Sequence, residues 1–420
     1  MDKIENIISR EIFDSRGQPT IQADVILESG IRGTAKVPSG ASTGKKEACE
    51  LRDGDKTRFL GKGVQNAHKS IQNVIKPAVL GLSVLHQKNI DENLLELDGT
   101  ANKSNLGANA ILAVSMACAQ AGSQLLDIPL FQYLGGIQSN RLPIPLLNVI
   151  NGGQHAKNNL DIQEFMLVPH GFDSFKEAIR AGSEIYHTLK KILNEKNLST
   201  SIGDEGGFAP DLPSNDTAIE FLLDAIEKAG YRPGEQISIA LDCAASSFFK
   251  DGHYILNGEK PMNSNELIAY YQTLVQKYPI SSIEDPLDED DESGWINITQ
   301  AMGKQIMLVG DDIFVTNMDI FKKGIEKNIA NSILIKLNQI GTLTETMQTI
   351  HLAREKGYKY IISHRSGETE DTFIADFSVG MQSGFIKTGA LARSERLAKY
   401  NRLLEVEDLL GSWAIYNINI

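Results

Sequence analysis

The fold class that the sequence predicts is α/β, with an α/β barrel in the C-terminal part of the chain and a smaller α+β domain before it. Short apolar runs in the second half each end in an ionisable residue, and most intervals between these residues have the length of one strand plus one helix. The residues are Asp242, Glu284, Asp311, Lys336, His364 and Lys387. Catalytic side chains of βα barrels lie at the carboxyl ends of the strands. The pattern therefore predicts an enzyme.

The run NSILIKLNQIG, residues 331–341, places an ammonium group in an apolar, β-branched segment that is typical of a buried strand. Side chains alternate along a strand, so Lys336 shares its face with Leu334 and Asn338. A buried lysine is costly unless charged partners hold it or chemistry requires it. From this run alone, a lysine that reaches out of the strand end into solvent is an equal alternative. The acids at neighbouring strand ends favour a catalytic base.

The first part of the chain is predicted to be an antiparallel meander followed by helices. Alternating runs within residues 6–28 flank the turn cluster DSRGQPT, where Gly17 and Pro19 interrupt regular structure as in a hairpin. Residues 31–37 would add a third strand, and residues 62–126 have a helical pattern. We place a domain boundary near residues 127–142, with the α+β domain at 1–130 and the barrel at 140–420.

A loop rich in glycine, VPSGASTGKKE at residues 37–47, separates the third strand from the helices. It is a poor match to a phosphate-binding P-loop, because Gly40 and Gly44 enclose too few residues and Lys46 stands where serine or threonine is needed. Composition favours a plain surface turn. The alternative is a mobile loop that closes over a substrate.

Two further polar segments are candidates for the site. His155 lies in a glycine turn, and Gln163 and Glu164 precede an apolar strand; a surface histidine and a solvated strand start are the default interpretations. In GDEGGFAP, residues 203–210, Glu205 lies among three glycines. Such segments are usually turns, but the permissive backbone of glycine also lets a carboxylate approach a ligand closely.

Charge and composition argue against several classes of function. A net charge of −13 and a pI near 5.2 do not suit nucleic acid or an anionic membrane as the principal partner. The longest apolar stretch, residues 106–126, has polar interruptions and is predicted to be a buried helix, so we expect no membrane insertion. The N-terminus has no signal-peptide core, and three widely spaced cysteines suggest a reducing compartment. We therefore expect a cytoplasmic protein.

Eleven motifs in a fixed order resemble the enolase family over essentially the whole chain. They are DSRGQPT, SGASTG, NGGQHA, DIQEFM, GDEGGFAP, ALDCAAS, SSIEDP, VGDD, ILIKLNQIGTLTE, SHRSGETEDTFIAD and IKTGALARSERLAKYN. The resemblance implies a small N-terminal α+β domain and an eight-stranded α/β barrel of the enolase type, TIM-like, whose first strands depart from the simple βα repeat. It also implies a homodimer, or an octamer built from dimers.

The activity that the resemblance implies is a Mg²⁺-dependent hydro-lyase that interconverts 2-phosphoglycerate and phosphoenolpyruvate in glycolysis and gluconeogenesis. By position, Asp242, Glu284 and Asp311 would ligate the main Mg²⁺. Ser39, in the mobile loop, would join a second Mg²⁺ that binds with the substrate. Lys336 would be the general base and Glu205 the general acid. Mg²⁺ and Lys387 would lower the pKa of Lys336 by like-charge repulsion, so that the base is unprotonated.

The resemblance also implies the substrate-binding residues. Arg365 and Ser366 would hold the phosphate group, and Lys387 would bind the carboxylate. The other implied substrate-binding residues are His155, Gln163, Glu164, Ser363 and His364, together with Glu284, Asp311 and Lys336. The planar guanidinium of Arg365 suits a phosphate, because it can donate to two oxygens at once.

Two other functions stay open on the sequence alone. A racemase or cycloisomerase of the same superfamily typically has two lysines one residue apart on a strand, whereas the first of those positions here is Leu334. A secreted or surface-bound form that binds host proteins is reported across the family, but no motif of this chain favours it.

Gln18, Lys157 and Leu391 differ from the usual residues of the family, and none of them has an assigned role.

Overall fold

The computed structural model describes residues 1–40 and 44–416, and its first element is an antiparallel meander of β1 (Ile4–Phe13), β2 (Pro19–Leu27) and β3 (Arg32–Lys36). Phe13 pairs with Pro19, so the hairpin turn lies where the DSRGQPT cluster predicts it. Asp14 closes this turn, because its Oδ1 accepts the backbone N–H groups of Arg16 at 2.8 Å and Gln18 at 2.9 Å.

Helices follow the meander in the N-terminal part of the chain. They are α1 (Gln65–Ser70), α2 (Lys76–Val79), α3 (Gln87–Asp98), α4 (Ala108–Leu125) and α5 (Leu130–Gly135). α4 is buried along most of its length, as predicted, and packs closely beneath β2 and β3. A Cβ atom on Gly33 of β3 would lie 2.1 Å from the carbonyl oxygen of Ala117, so only glycine fits at this crossing. Across the described residues, no helix combines the length and apolar character that a membrane crossing requires.

The C-terminal part contains a closed barrel of eight strands, as the resemblance implies. In chain order, the strands of this part are β4 (Ile144–Asn151), β5 (Glu164–Pro169), β6 (Ile237–Asp242), β7 (Phe249–Lys250), β8 (His253–Tyr254), β9 (Ile280–Glu284), β10 (Met307–Gly310), β11 (Ser332–Ile335), β12 (Lys359–Ser363) and β13 (Phe385–Lys387). β7 and β8 form a separate hairpin, and β13 closes the barrel by pairing with β4.

The barrel departs from a simple βα repeat at its first strands. β5 runs antiparallel to both β4 and β6, whereas the other neighbouring strands are parallel. Because its direction is reversed, β5 begins at the rim where the parallel strands end, and Glu164 pairs with Asp242. The regular repeat begins at β6, which is the part of the chain where the spacing of ionisable residues predicted it.

Helices connect the strands of this part, and the longer ones form the outer layer. They are α6 (Phe175–Glu195), α7 (Asn215–Lys228), α8 (Ser264–Lys277), α9 (Glu292–Met302), α10 (Met318–Glu326), α11 (Leu337–Ile340), α12 (Leu343–Glu355), α13 (Phe373–Gly380) and α14 (Ser394–Leu410). Several begin at a side-chain cap; at α8, Asn263 accepts the N–H of Glu266, whose side chain accepts the N–H of Asn263 in return.

The strand that carries the lysine ends earlier than the sequence pattern predicted. β11 stops at Ile335, and Lys336 is still extended, but the predicted alternation does not continue into Leu337 because α11 begins there. The N–H of Lys336 donates to the hydroxyl of Thr316 at 2.9 Å instead of to a neighbouring strand. The helical turn directs Asn338 away from the strand and towards the side of the barrel mouth that carries Arg365.

The helices of the N-terminal part contact the barrel part at α11, α12 and α13. The buried carboxylate of Asp91 accepts the backbone N–H of Thr344 at 2.9 Å and its hydroxyl at 2.6 Å. Nearby, the ammonium group of Lys103 lies 2.6 Å from the carboxylate of Glu345. The first turn of a barrel helix is therefore fixed by groups from the other part of the chain. The predicted boundary at residues 127–142 stays a prediction.

Candidate active site

A cavity of about 270 Å³ opens at the mouth of the barrel, where the parallel strands end. Its lining residues are Lys45, Gln154, His155, Gln163, Glu164, Glu205, Asp242, Ala244, Ser246, Ser247, Asp285, Glu289, Asp311, Asp312, Lys336, Ser363, His364, Arg365, Ser366 and Lys387. Seven of these side chains are carboxylic acids and four are lysine or arginine. Acids are therefore in excess over cations in this part of the described structure.

Most of the site residues predicted from the sequence line this one cavity. Of the predicted set, Glu284 and Ser39 do not line it. Glu284 is 3 % exposed and lies at the end of β9, where both of its carboxylate oxygens accept hydrogen bonds from Lys387. Glu284 is thus part of the same charged network, one layer deeper in the barrel.

Ser39 is held at the edge of the site by its backbone. Its N–H donates to the carbonyl of Gly367 at 2.8 Å, and the N–H of Gly367 donates back at 2.9 Å. Its hydroxyl accepts from Arg16 at 2.7 Å and donates to Asp14 at 3.3 Å. The role of Ser39 as a metal ligand therefore stays a prediction. Residues 41–43 of the predicted mobile loop lie outside the described residues.

Lys387, the last residue of β13, is the centre of a buried network of ion pairs. Its Nζ lies 2.8 Å from Asp242 Oδ2, 2.8 Å from Glu284 Oε2 and 3.3 Å from Glu164 Oε1. Burial acts to lower the pKa of Lys387, but the three carboxylates, Asp242 foremost, outweigh it and hold the pKa well above its usual value. Lys387 is therefore a fixed cation at the floor of the cavity.

Lys336 lies at the end of β11 and pairs with Asp311, which follows β10. The distance from Lys336 Nζ to Asp311 Oδ2 is 2.5 Å, and the lysine side chain is 14 % exposed. Burial acts to lower the pKa of Lys336, but Asp311 and, less strongly, Glu284 act to raise it, and the pKa lies above its usual value. Among the described residues, a carboxylate, which stabilises the ammonium form, is nearer to this lysine than any cation. The lowered pKa expected from the sequence depends on bound Mg²⁺ and stays a prediction.

A further cluster of titratable groups at the mouth of the barrel consists of two carboxylic acids and two histidines. His155 Nδ1 lies 3.6 Å from Glu164 and 3.9 Å from Glu205, and His364 Nε2 lies 3.3 Å from Glu205. Burial, with Glu205 next, raises the pKa of Glu164 well above its usual value. For Glu205, burial acts in the same direction, but His364 and His155 hold its pKa well below. Of the two acids, Glu164 is therefore the one that keeps a proton.

The donor set at the mouth suits a hard divalent cation, which prefers carboxylate oxygens. Within the described residues, two sets of three side chains have ligand atoms that all lie within 4.8 Å of one another: His155, Glu164 and Glu205, and Asp285, Asp311 and Asp312. These acidic groups could bind a metal ion. Burial and the neighbouring Asp242 raise the pKa of the Glu284 carboxyl well above the usual value, so its ionised form needs a cation beside it, which Lys387 supplies in this structure.

The metal ligands implied by the resemblance do not form one such set. Lys387 joins Asp242 to Glu284, while Asp311 is engaged by Lys336 and by the amide of Gln339 at 2.9 Å. Two ammonium groups thus divide the three carboxylates between them. The predicted ligation by Asp242, Glu284 and Asp311 stays a prediction.

The wall of the cavity after β12 carries the predicted phosphate group site. Arg365 Nη1 donates to Glu47 Oε2 at 2.9 Å and to Asn338 Oδ1 at 2.9 Å, and Nη2 donates to Glu47 Oε1 at 3.1 Å. Behind it, the buried Arg396 donates to the backbone carbonyls of Arg365 at 2.6 Å and Ser366 at 2.5 Å. The segment that would hold a phosphate is therefore rigidly supported from α14.

Sequence reasoning missed several polar residues of the cavity, among them Asp285 and Asp312, which belong to a possible metal-binding set. It also missed Glu47, Gln339 and Arg396, which support the site from outside the cavity lining. Glu47 lies in the loop at residues 37–47 and Gln339 in the run at residues 331–341, both of which were candidate segments. The sequence of a loop end or of a helical turn does not show which side chain points towards the site. Arg396 is 0 % exposed and contacts residues about thirty positions earlier in the chain. Its helix has no local pattern that would distinguish this arginine from a surface one.

The closed barrel and its acidic, lysine-bearing mouth define the class of protein, an α/β-barrel enzyme with a site that could hold a metal ion. Two family models match the sequence: "Enolase, N-terminal domain" at residues 4–134 and "Enolase, C-terminal TIM barrel domain" at residues 139–419. Together they cover almost the whole chain. The chain belongs to the enolase family.

Proposed function

We propose that the protein catalyses the reversible, Mg²⁺-dependent dehydration of 2-phosphoglycerate to phosphoenolpyruvate. The observation that carries this proposal is the placement of Lys336 and of the pair Glu164 and Glu205 around one cavity that also contains Lys387 and Arg365. A dehydration of this type needs a base, an acid and cations for two anionic groups. This cavity supplies all of them within one enclosed space.

The two anionic groups of the substrate match two separate cations. Lys387 is fixed at the floor by carboxylates and suits the substrate carboxylate. Arg365 and Ser366 on the wall after β12 suit the phosphate, since a guanidinium donates to two oxygens in one plane. A substrate held at both ends presents the carbon between them to the side chains at the centre of the cavity, which removes much of the entropic barrier.

Lys336 accepts the proton from the carbon next to the substrate carboxylate, since it is the lysine at the centre of the mouth. Asp242, Glu284 and Asp311 would hold the main Mg²⁺, and Ser39 is the residue that the resemblance implies for the second. A bound Mg²⁺ would supply positive charge against the negative charge that develops on the substrate carboxylate. An unprotonated Lys336 requires that its ammonium lose the support of Asp311, because this carboxylate raises its pKa.

The pair Glu205 and Glu164 delivers the proton that lets hydroxide leave. Glu164 keeps the proton in the structure, so Glu205 acts as the acid only once that proton has passed to it on substrate binding. The pKa values of the two carboxyls are displaced in opposite directions, so the pair holds one proton near neutral pH. His155 and Gln163 line the same wall and orient the leaving group. The side chain of Asn148 donates to Glu205 at 3.1 Å and fixes that carboxylate towards the cavity.

We also propose that the chain self-associates through the N-terminal part. Phe13, Phe59 and Leu60 are 60 %, 38 % and 88 % exposed, and the rings of Phe13 and Phe59 pack edge to face at 5.9 Å. Phe59 and Leu60 both have positive φ angles, a strained conformation that keeps these apolar side chains on the surface. A second copy of the chain would remove this patch from water.

The experiment that tests the proposed reaction follows the ultraviolet absorbance of phosphoenolpyruvate as it forms from 2-phosphoglycerate. We expect turnover with Mg²⁺, loss of turnover with excess chelator, and recovery when Mg²⁺ is restored. A folded, magnesium-loaded protein that leaves 2-phosphoglycerate unchanged would overturn the proposal. The surviving assignment would then be another reaction of the superfamily, on a different carboxylate.

A further inference from the structure

Arg396, on α14, has an acceptor for every N–H group of its two terminal nitrogens. Nη1 donates to the carbonyl of Arg365 at 2.6 Å and lies 2.6 Å from Nδ1 of His364. Nη2 donates to the carbonyls of Asp204 at 3.1 Å and Ser366 at 2.5 Å. Each terminal nitrogen of a guanidinium carries two N–H groups, so these four acceptors use all of them. The orientation of the buried guanidinium is therefore fixed.

The contact between Arg396 and His364 determines which ring nitrogen carries the proton. A guanidinium is always protonated and has no acceptor, so Nδ1 of His364 must be the acceptor and must be bare. A proton on Nδ1 would point one N–H group at another across 2.6 Å. The reverse orientation of the ring would place a C–H group against the guanidinium. The neutral ring therefore carries its proton on Nε2.

The other ring nitrogen of His364 faces the main cavity. His364 lines this cavity and is 2 % exposed, and its Nε2 lies 3.3 Å from Oε2 of Glu205 without a regular hydrogen bond among the described residues. An N–H group in this position is available to a bound substrate and to the carboxylate. Beside Glu205 it favours the ionised form, whereas a bare nitrogen would not.

We propose that Arg396 is a positioning residue that fixes His364 as the tautomer with its proton on Nε2, so that the ring presents a donor to Glu205. This inference rests on the proposed function, in which Glu205 becomes the acid. The donor keeps Glu205 ionised, and the proton of the carboxyl pair on Glu164, until substrate binding changes these contacts. With its proton on Nε2, the ring also cannot act as a base at that nitrogen.

A purely structural role for Arg396 is the alternative, because the guanidinium also supports three backbone carbonyls. Lys399, on the same helix, provides a matched comparison. It is 0 % exposed, pairs with Glu368 at 2.9 Å and donates to the carbonyl of Thr369 at 2.5 Å. It thus supports the same segment after β12 by the same kind of contact. Its side chain has no hydrogen bond to His364 within the described structure, so Lys399→Met removes support and leaves the ring untouched.

The first test is magic-angle-spinning nuclear magnetic resonance of the full-length protein with ¹³C and ¹⁵N in its eight histidines. Spectra are recorded at pH 8 in magnesium-containing buffer without substrate, and the ring nitrogen shifts distinguish bare from protonated nitrogen. The signals of His364 are identified by their loss in His364→Phe. We expect a bare Nδ1 and a protonated Nε2 in the wild type and in Lys399→Met.

The spectrum of Arg396→Met should show an additional signal for a protonated Nδ1 of His364. The carbonyl of Arg365 accepts from the same Nη1 that contacts Nδ1, so it becomes free to accept from the ring when this donor is removed. If Arg396→Met does not fold, the wild-type protein labelled in both arginine and histidine provides the test. We then expect a correlation between a guanidinium proton and the bare Nδ1 of His364.

The second test is a double-mutant cycle on the turnover of 2-phosphoglycerate. We expect Arg396→Met to lower kcat by about tenfold or more when His364 is present. In the His364→Phe background, where the ring has no nitrogen, the same substitution should lower kcat by less than about threefold, since its effect passes through the histidine. Lys399→Met should lower kcat by the same factor in both backgrounds.

Three outcomes overturn the inference. A protonated Nδ1 in the wild type would refute it directly. An unchanged, bare Nδ1 in folded Arg396→Met would show that Arg396 only supports the backbone. Losses of kcat that add independently in the cycle would show that Arg396 does not act through His364. The spectra need no substrate, so they decide the tautomer even if the proposed reaction proves wrong.

Discussion

Lys336 Nζ lies 2.5 Å from Asp311 Oδ2, so the lysine that we propose as the base is paired with an acid that we propose as a metal ligand. The arrangement couples two properties that are usually discussed separately, the proton affinity of the base and the occupancy of the metal site. When a carboxylate turns towards a metal cation, it no longer stabilises the ammonium form of the lysine, and the pKa of the lysine falls.

Replacement of Lys336 by alanine should abolish turnover and leave the fold intact. General-base catalysis contributes about a hundredfold to ten-thousandfold, and in this site no second lysine occupies the same face of β11. The rate of phosphoenolpyruvate formation measures the effect, calorimetry measures Mg²⁺ binding, and thermal unfolding checks the fold. Lys327→Ala, on the outer surface, is the control. A near-normal rate in Lys336→Ala would mean that another group is the base.

Replacement of Lys387 by methionine should destabilise the metal-free protein strongly. The side chain is 3 % exposed and compensates Asp242, Glu284 and Glu164, so its loss leaves buried acids without a cation. Breaking a buried pair in this way costs about 3–5 kcal/mol. Denaturant unfolding measures the change, with Lys356→Met as the control, because its pair with Glu355 is exposed and worth about 0–1 kcal/mol. Equal effects of the two substitutions would contradict the buried network.

His364 should make the stability of the protein depend on pH in the acid range. Burial lowers its pKa from 6.5 to about 4, so the folded state binds its proton less readily than the unfolded state. The stabilisation is therefore complete above pH 6.5 and is lost as the pH falls towards 4, by about 3 kcal/mol in all. Denaturant unfolding between these pH values should show a shallower dependence for His364→Gln. The exposed His351→Gln is the control, and parallel curves for His364→Gln and the wild type would refute the prediction.

Leu60→Asp should weaken self-association without unfolding the chain. Leu60 is 88 % exposed, so a charge at this position costs the isolated chain little, but burying that charge in an interface is unfavourable. Sedimentation velocity at micromolar concentration measures the distribution of species. Ile202→Asp, an exposed apolar residue of the barrel part, is the matched control. If Leu60→Asp sediments like the wild type, the apolar patch of the N-terminal part is not an interface.

The sequence predicted the elements of the barrel better than it predicted the contacts inside its mouth. Strand ends with ionisable residues are local patterns, and the structure brings Asp242, Asp311, Lys336 and Lys387 to one cavity as those patterns indicated. That the first strands depart from the simple βα repeat came only from the resemblance, and the antiparallel direction of β5 was not predicted, because β5 has the same apolar pattern as a parallel strand.

Long-range contacts account for what the sequence did not show. The hydroxyl of Ser39 accepts a hydrogen bond from Arg16, and Asp311 acts to raise the pKa of Lys336. Both partners come from other elements of the chain. Glu47 looks like a loop residue in the sequence, and only the folded chain places it against Arg365, from which it is separated by most of the chain. Orientation of a side chain at a strand end or in a loop depends on such partners, and no local pattern records them.

The reciprocal hydrogen bonds between Ser39 and Gly367 make the barrel depend on a backbone segment from the N-terminal part of the chain. A barrel expressed alone would lose the support next to Arg365, even if all of its own strands formed. A chimaeric protein that takes its N-terminal part from a relative should therefore keep the two backbone hydrogen bonds between Ser39 and Gly367. Keeping them matters more than keeping the surrounding side chains. The smallest fragment that we expect to be active on its own therefore includes both the N-terminal part and the barrel.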